Sequence, residues 1–316
     1  MKEIITDMED LFRKLGNSKA KAMPKIKMDF EKQEFEGMNG WYVGMAGYSI
    51  SENNKPLVGI KWLSRFNTNS RIQLPTLNSL IIINDPETGL PLAVADGNLI
   101  TAMRTGATTA VGAKYLARKD SEEVTIIGSG VQGKSHLMAL KELFKIKKVN
   151  VVGRDSKNTL KYIKEMSEKT DLNIQPHNSV KEAVNNSDII IAATNSKTPI
   201  LNGKWLKRGF FVGSINMNEE IDDDLPRISD KIIVDDLESI LKRSSLQVKI
   251  ERGEFSSQDI HGELSEIILK KKEGRMSEKD NILLINGGIP VEDAVVLFRL
   301  YEIAKKRGIG TEFRFQ

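Results

Sequence analysis

Three glycines at fixed spacing, Gly128-x-Gly130-x-x-Gly133, close the short apolar run Val124-Thr-Ile-Ile. A segment with Leu137, Leu140, Leu143 and Phe144 at helical spacing follows. Strand, glycine turn and helix are the parts of a site for the pyrophosphate of a dinucleotide. Gly128 permits the tight turn, Gly130 lets the backbone approach the phosphates, and Gly133 lets helix and strand pack closely. Val131 and Gln132 open the helix, whose first N–H groups lack partners and whose dipole favours an anion. Two cations stand in unusual settings. Lys61 interrupts the apolar run Leu57-Val-Gly-Ile-Lys-Trp-Leu. If buried, it needs an anionic partner or a depressed pKa; the alternative is a charge on an edge strand. Arg104 lies in Ile100-Thr-Ala-Met-Arg-Thr-Gly-Ala, a helix of small residues that would let a ligand come close. Its guanidinium would clamp a carboxylate or phosphate, or else form an internal salt bridge.

The elements that must position these groups alternate. After the glycine turn, an apolar strand at 149–152 is followed by helix 158–168, strand 172–175, helix 180–185 and strand 188–193. Further strands are expected at 209–215, 231–234 and 281–285, and a last helix at 291–306. This pattern predicts a doubly wound parallel sheet of Rossmann type. Upstream, Thr6-x-x-Glu9 resembles a capping box opening a short helix. Extended segments at 25–30, 41–49 and 57–65 and a hairpin at 80–84 and 91–95 then lead to a long helix at 99–118. The expected fold is thus an α/β dinucleotide domain, 119–288, inserted into an α+β substrate-binding and dimerisation domain, 1–118 plus 289–316.

The second strand ends in Val152-Gly-Arg-Asp-Ser. NAD sites place a carboxylate there for the ribose 2′-OH. Here Gly153 leaves room, and Arg154 and Ser156 are expected to hold a 2′-phosphate, so NADP(H) is favoured with NAD(H) possible. In the alternative, Arg154 is a solvated charge and Asp155 serves the ribose.

Composition bounds the rest. The 316 residues are 40% hydrophobic and 28% charged, with a net charge of +4. No apolar run approaches the roughly 18–20 residues of a membrane helix, and the first residues lack a secretory apolar stretch. The absence of cysteine excludes disulfides and thiol catalysis and points to the cytoplasm. Three dispersed histidines, His136, His177 and His261, exclude a histidine metal cluster. The basic runs Lys270-Lys-Lys and Lys305-Lys-Arg lack interleaved aromatics and read as solvated helix faces, so neither nucleic acid nor membrane is an expected partner.

Taken together, Gly59-Ile-Lys-Trp, Leu74-Pro-Thr, Asn84-Asp-Pro-Glu-Thr-Gly, Met103-Arg-Thr-Gly-Ala, Lys114-Tyr-Leu-Ala-Arg, Ile127-Gly-Ser-Gly-Val-Gln, Ala193-Thr-Asn-Ser and Val234-Asp-Asp resemble the ornithine cyclodeaminase/μ-crystallin family. That family also holds archaeal-type alanine dehydrogenases and cyclic ketimine reductases. The likeness runs from about Pro24 to the C-terminus. It implies that Arg104 clamps a substrate carboxylate with help from Lys25, and that Lys61 touches the carboxylate or imine region. It further implies cofactor contacts at Thr76, Val131, Gln132, Thr194 and the strand end Val212, Gly213, Ser214 and Ile215. Asn286 and Gly287 would approach nicotinamide and substrate. The implied partners are a small amino acid or cyclic imino acid and a second copy of the chain, as a homodimer or higher homo-oligomer.

One departure concerns the catalytic aspartate of the family's Gly-x-Asp-x-Pro-Gly-Lys stretch. Here the segment is shorter and Asn218 best matches that position. An amide is no general base, which argues against ammonia loss by cyclodeamination. Glu219 or Glu220 would substitute if the loop is re-registered, or both lie in a helix N-terminal turn. The favoured expectation is an NAD(P)-dependent oxidoreductase interconverting an L-amino acid and its imine or keto acid. The alternatives are a cyclodeaminase that uses NAD catalytically and a μ-crystallin-like binding protein without turnover.

Overall fold

The computed structural model describes residues 1–30, 40–51, 54–215, 220–243, 245–253 and 255–313. Helix α1 (Lys2–Gly16) precedes β1 (Ala20–Ala22), β2 (Ile26–Asp29), β3 (Gly40–Ile50), β4 (Pro56–Phe66), β5 (Leu77–Asn84) and β6 (Pro91–Asp96). After α2 (Asn98–Leu116) come β7 (Glu123–Ile127), α3 (Val131–Leu143), β8 (Lys148–Val152), α4 (Ser156–Thr170), β9 (Ile174–Pro176), α5 (Val180–Val184) and β10 (Ile189–Ala192). The chain continues through β11 (Phe211–Ser214), α6 (Asp224–Ile228), β12 (Lys231–Val234), α7 (Leu237–Arg243) and α8 (Ser245–Glu251). It closes with β13 (Gly262–Glu263), α9 (Leu264–Ile268), β14 (Ile282–Ile285) and α10 (Pro290–Arg307).

Two compact units result, Met1–Gly16 with Ala102–Gly288 and Asn17–Thr101 with Ile289–Gln316. Residues 1–16 and 102–118, expected with the antiparallel sheet, group with the parallel one. The reason lies in the small residues of α2. A Cβ on Gly106 would meet the Ser135 carbonyl group at 2.7 Å, and one on Gly112 would strike the Leu284 side chain. These glycines let α2 press onto α3 and the sheet, and the helix is buried over most of its length. The expected capping box is also absent. Thr6 and Glu9 lie inside α1, and Glu9 accepts from Lys114, Tyr115 and Arg13.

The parallel unit is an eight-stranded sheet ordered β13-β12-β14-β11-β10-β7-β8-β9. Strands β7 to β11 follow the doubly wound order, and β14 enters between β11 and β12. The order reverses between β7 and β10, the point where such sheets bind ligands at their carboxyl ends. One face carries a core of Ile127, Ile190, Val212, Val234, Leu283 and Ile285.

In the other unit β3, β4 and β5 pair antiparallel, with β1, β2 and β6 completing the sheet. Along β4, Gly59, Lys61 and Leu63 are buried while Val58, Ile60 and Trp62 are exposed, the period of a half-covered strand. Helix α10 packs against β3, β4 and β5 on the buried side. A Cβ on Gly59 would come 2.7 Å from that of Ala294, so glycine is what lets the helix sit this close.

Candidate functional site

The turn after β7 is built for close backbone approach. Gly128 takes φ +112°, a conformation that side chains disfavour, and donates to the Val152 carbonyl at 2.7 Å. A Cβ on Gly133 would collide with the Gly128 carbonyl oxygen. Gly130 caps α3 without a side-chain hydrogen bond, and nothing lies within 4 Å of where its Cβ would be. Val131 is 63% exposed. The Gln132 Oε1 is buried and has no hydrogen-bond partner. An uncapped helix start, open space above Gly130 and an orphaned acceptor fit a dinucleotide, whose phosphates would take the N–H groups and whose hydroxyls would serve Gln132.

The neighbouring strand ends at the same carboxyl edge carry more of the expected residues. Thr194, after β10, donates its backbone N–H (3.1 Å) and hydroxyl (2.8 Å) to the Glu220 carboxylate, which also accepts from Ser214 Oγ at 2.9 Å. Glu220 is therefore neither in a helix N-terminal turn, since α6 begins at Asp224, nor exposed. It fixes the ends of β10 and β11 to one another. Val212 points into the core, so only its backbone is open to a ligand. Gly213 packs on Thr109, where a Cβ would come to 2.8 Å, and Ile215 is half-buried.

After β14, Asn286 is buried and donates through Nδ2 to Thr109 Oγ1 at 3.1 Å. Thr109 is also 3.0 Å from Nε2 of His136, whose Nδ1 donates to the Gln132 carbonyl at 2.7 Å. Burial pushes the His136 pKa down to about 4, so the ring is neutral near pH 7. Gly288 takes φ +73° and donates to Asp235 Oδ2 at 2.6 Å and to Asn286 Oδ1 at 3.2 Å. A Cβ there would strike Nη1 of Arg104, which is 4% exposed. The turn thus makes a backbone seat for the guanidinium, and Gly287 is half-buried beside it.

At the end of β8 the structure corrects the room assigned to Gly153. A Cβ there would meet the hydroxyls of Thr159 and Ser129, so packing explains the glycine. Asp155 caps α4, accepting from the Asn158 N–H at 2.7 Å. Arg154 and Ser156 are exposed.

In the antiparallel unit, Lys61 is no edge-strand charge, because β4 lies between β3 and β5. Its ammonium donates to Asp293 Oδ2 at 2.6 Å, and both side chains are 0% exposed. Thr101 Oγ1 lies 3.4 Å from the ammonium and donates to Asp293 Oδ1 at 3.0 Å. Of the outcomes left open for Lys61, the structure shows burial with an anionic partner. Lys25 and Thr76 are half-buried in the same unit, where the Thr76 carbonyl accepts from Phe66. Asn218 and Glu219 lie outside the described residues.

Sequence reasoning missed the parts played by four polar residues: Asp293 and Thr109 went unnamed, His136 entered only as one of three dispersed histidines, and Glu220 only as a substitute base or part of a helix N-terminal turn. Asp293 had a visible signal, a carboxylate next to Ala294 on the apolar side of the last helix. The other three had none, since their partners come from distant elements. Among the described residues, no group of three or more His, Cys, Asp or Glu could hold a metal ion.

With this geometry in view, the class follows: an α/β protein with a Rossmann-type sheet and an antiparallel companion sheet. The chain belongs to the ornithine cyclodeaminase/mu-crystallin family, whose model matches residues 1–308. The Δ1-pyrroline-2-carboxylate reductase of Thermococcus litoralis, solved with NADH and L-proline, is 36% identical with a TM-score of 0.92, covering 99% of this chain and 96% of that one. An archaeal alanine dehydrogenase dimer with bound NAD is 30% identical with a TM-score of 0.90, covering 100% and 95%. The Δ1-pyrroline-2-carboxylate reductase of Bacillus cereus is 33% identical over 272 residues, 84% of this chain and 83% of that protein.

Proposed function

We propose that this protein is an NAD(P)-dependent oxidoreductase that interconverts an L-amino acid and its imine or keto acid, cyclic imino acids included. The observation that carries this reading is Arg104. A buried guanidinium seated on the Gly288 turn lies in the same unit as the glycine loop, and that turn follows β14 at the carboxyl edge of the same sheet. A fixed, planar cation there suits bidentate capture of an α-carboxylate. When bound, the nicotinamide supplies or accepts the hydride at the carbon of the C=N or C–N bond. The chain's part is to hold and polarise. Arg104 grips the carboxylate, and Gly287 borders it. The resemblance alone assigns Lys25 to the carboxylate and Lys61, whose ammonium donates to Asp293, to the substrate nitrogen. Asn218 remains a proposed site residue through the resemblance alone.

NADP(H) is favoured over NAD(H). Asp155 is engaged in capping, so no carboxylate is left at the end of β8 for a 2′-OH, while Arg154 and Ser156 stand ready for a 2′-phosphate. The exposed face of the antiparallel sheet, with Val58, Ile60, Trp62, Leu80 and Val94, supports a homodimer. The absence of cysteine supports a cytoplasmic location. Among the described residues no helix is long and apolar enough to cross a membrane.

The test follows nicotinamide absorbance with both cofactors, against pyrroline- and piperideine-2-carboxylates and against α-keto acids plus ammonia. Ammonia release from ornithine without net absorbance change would assign cyclodeamination instead. Arg104→Ala should lower kcat/KM by about a thousandfold, the scale of a lost buried charge pairing, with cofactor affinity retained. Full kcat/KM in that variant sinks the clamp.

A further inference from the structure

The groups expected to meet the two ends of a dinucleotide are joined inside the parallel unit. Gln132 lies in the first turn of α3, on the pyrophosphate side. Asn286 follows β14, on the nicotinamide side. Between them stand His136 and Thr109, joined to both ends by three hydrogen bonds with a defined sense. The Gln132 carbonyl can only accept, so Nδ1 of His136 carries the ring proton (2.7 Å). Nε2 is then an acceptor, and the Thr109 hydroxyl, 3.0 Å away, donates to it. The Thr105 carbonyl, 3.2 Å from the same hydroxyl, competes for that proton. With its proton spent, Thr109 Oγ1 accepts from Asn286 Nδ2 at 3.1 Å. That bond orients the carboxamide so that Oδ1 faces the Gly288 N–H at 3.2 Å. The backbone of Asn286 is separately tied to the Ser214 carbonyl at 2.9 Å. His136, Thr109 and Asn286 are each at most 1% exposed, so no water can replace a missing partner. The low pKa of His136 keeps the ring in the form this sense requires.

We propose that His136 is a positioning residue: through Thr109 it sets the orientation of Asn286 and the Gly288 turn, and so aligns the nicotinamide end of the cofactor with the pyrophosphate loop. This rests on the dinucleotide reading above. It makes His136 more than a satisfied core histidine, because its role is to choose which way Asn286 points.

The test compares two probes on the full-length protein. One is the reduced cofactor that the wild type prefers. The other is its nicotinamide-free fragment, ADP-ribose or 2′-phospho-ADP-ribose. His136→Asn retains a donor for the Gln132 carbonyl, but its shorter side chain leaves no acceptor at the place of Nε2, where Thr109 donates. Thr109→Val removes the hydroxyl at nearly constant volume, and Thr109→Ser restores it. In His136→Asn and Thr109→Val, affinity for the reduced cofactor should fall about tenfold with the fragment's affinity unchanged, and Thr109→Ser should recover the wild-type ratio. The double variant should lose no more than either single one. Equal losses on both probes, or none on either, overturn the relay. If His136→Asn does not fold, the valine and serine pair decides alone. A wild-type protein that binds neither probe overturns the dinucleotide reading itself, a result separate from failure of the relay.

Discussion

Two buried polar clusters, one in each unit, are satisfied by different means. Under α10, the antiparallel unit buries one full charge pair, Lys61 with Asp293. The parallel unit carries a neutral chain from Gln132 through His136 and Thr109 to Asn286. The difference follows from where each set sits. Mid-strand, the backbone groups beside Lys61 are consumed by the ladders to β3 and β5, so a buried ammonium must find a side-chain anion. At strand ends and helix starts, backbone carbonyls and N–H groups are left over, and neutral side chains can bridge them. The first arrangement is costly to break from one side. The second is cheap per bond but sensitive to the direction of every proton.

The contrast can be broken hardest at the charge pair. Asp293→Leu or Lys61→Met alone leaves an uncompensated buried charge and should cost about 3–5 kcal/mol, while the double variant should recover most of it. Urea unfolding checks this; a double variant as unstable as either single one would mean that packing, not charge, dominates. If Lys61 also serves the substrate, the stable double variant stays inactive, which would set this pair apart from a purely structural one.

In the parallel unit the expected effect is smaller and depends on pH. His136 drops from 6.5 to about 4 on burial, so between those values the unfolded chain binds more protons. The stabilisation is whole above pH 6.5 and drains as the pH falls toward 4, by about 3 kcal/mol in all. Acid-dependent unfolding of His136→Asn should lack this component; curves that run parallel to wild type would show that the imidazole does not titrate on unfolding.

The smallest effect belongs to the exposed rim of that unit. Arg154→Ala should weaken NADP(H) about tenfold and leave NAD(H) unchanged. An unaltered ratio would remove the 2′-phosphate role. Gly153→Asp is no substitute, because its side chain would meet Thr159 and Ser129.

Much of the architecture was legible along the chain. The sequence pattern marked the strands from β2 to β12 and β14 to within a few residues, while the short β1 and β13 went unmarked. The spacing of Gly128, Gly130 and Gly133 announced the loop that the structure shows. These signals are local, since backbone conformation and strand period depend on residues within a few positions. Other features were misread for the same reason. The small residues of α2 suggested room for a ligand, yet they serve packing against α3 and β14. Gly153 suggested a missing carboxylate, yet it makes way for Thr159.

From its sequence alone, then, the protein declared its class of sheet, its glycine loop, its family and that Lys61, if buried, would need an anion or a depressed pKa. Only the tertiary structure decided which anion answers. Asp293 lies 232 residues along the chain, and Asn286 meets Thr109 across 177. Partners so remote leave no pattern at any fixed spacing. They are selected by how α10 settles on β4 and α2 on β14, which depends on the packing of whole elements and not on the residues beside them.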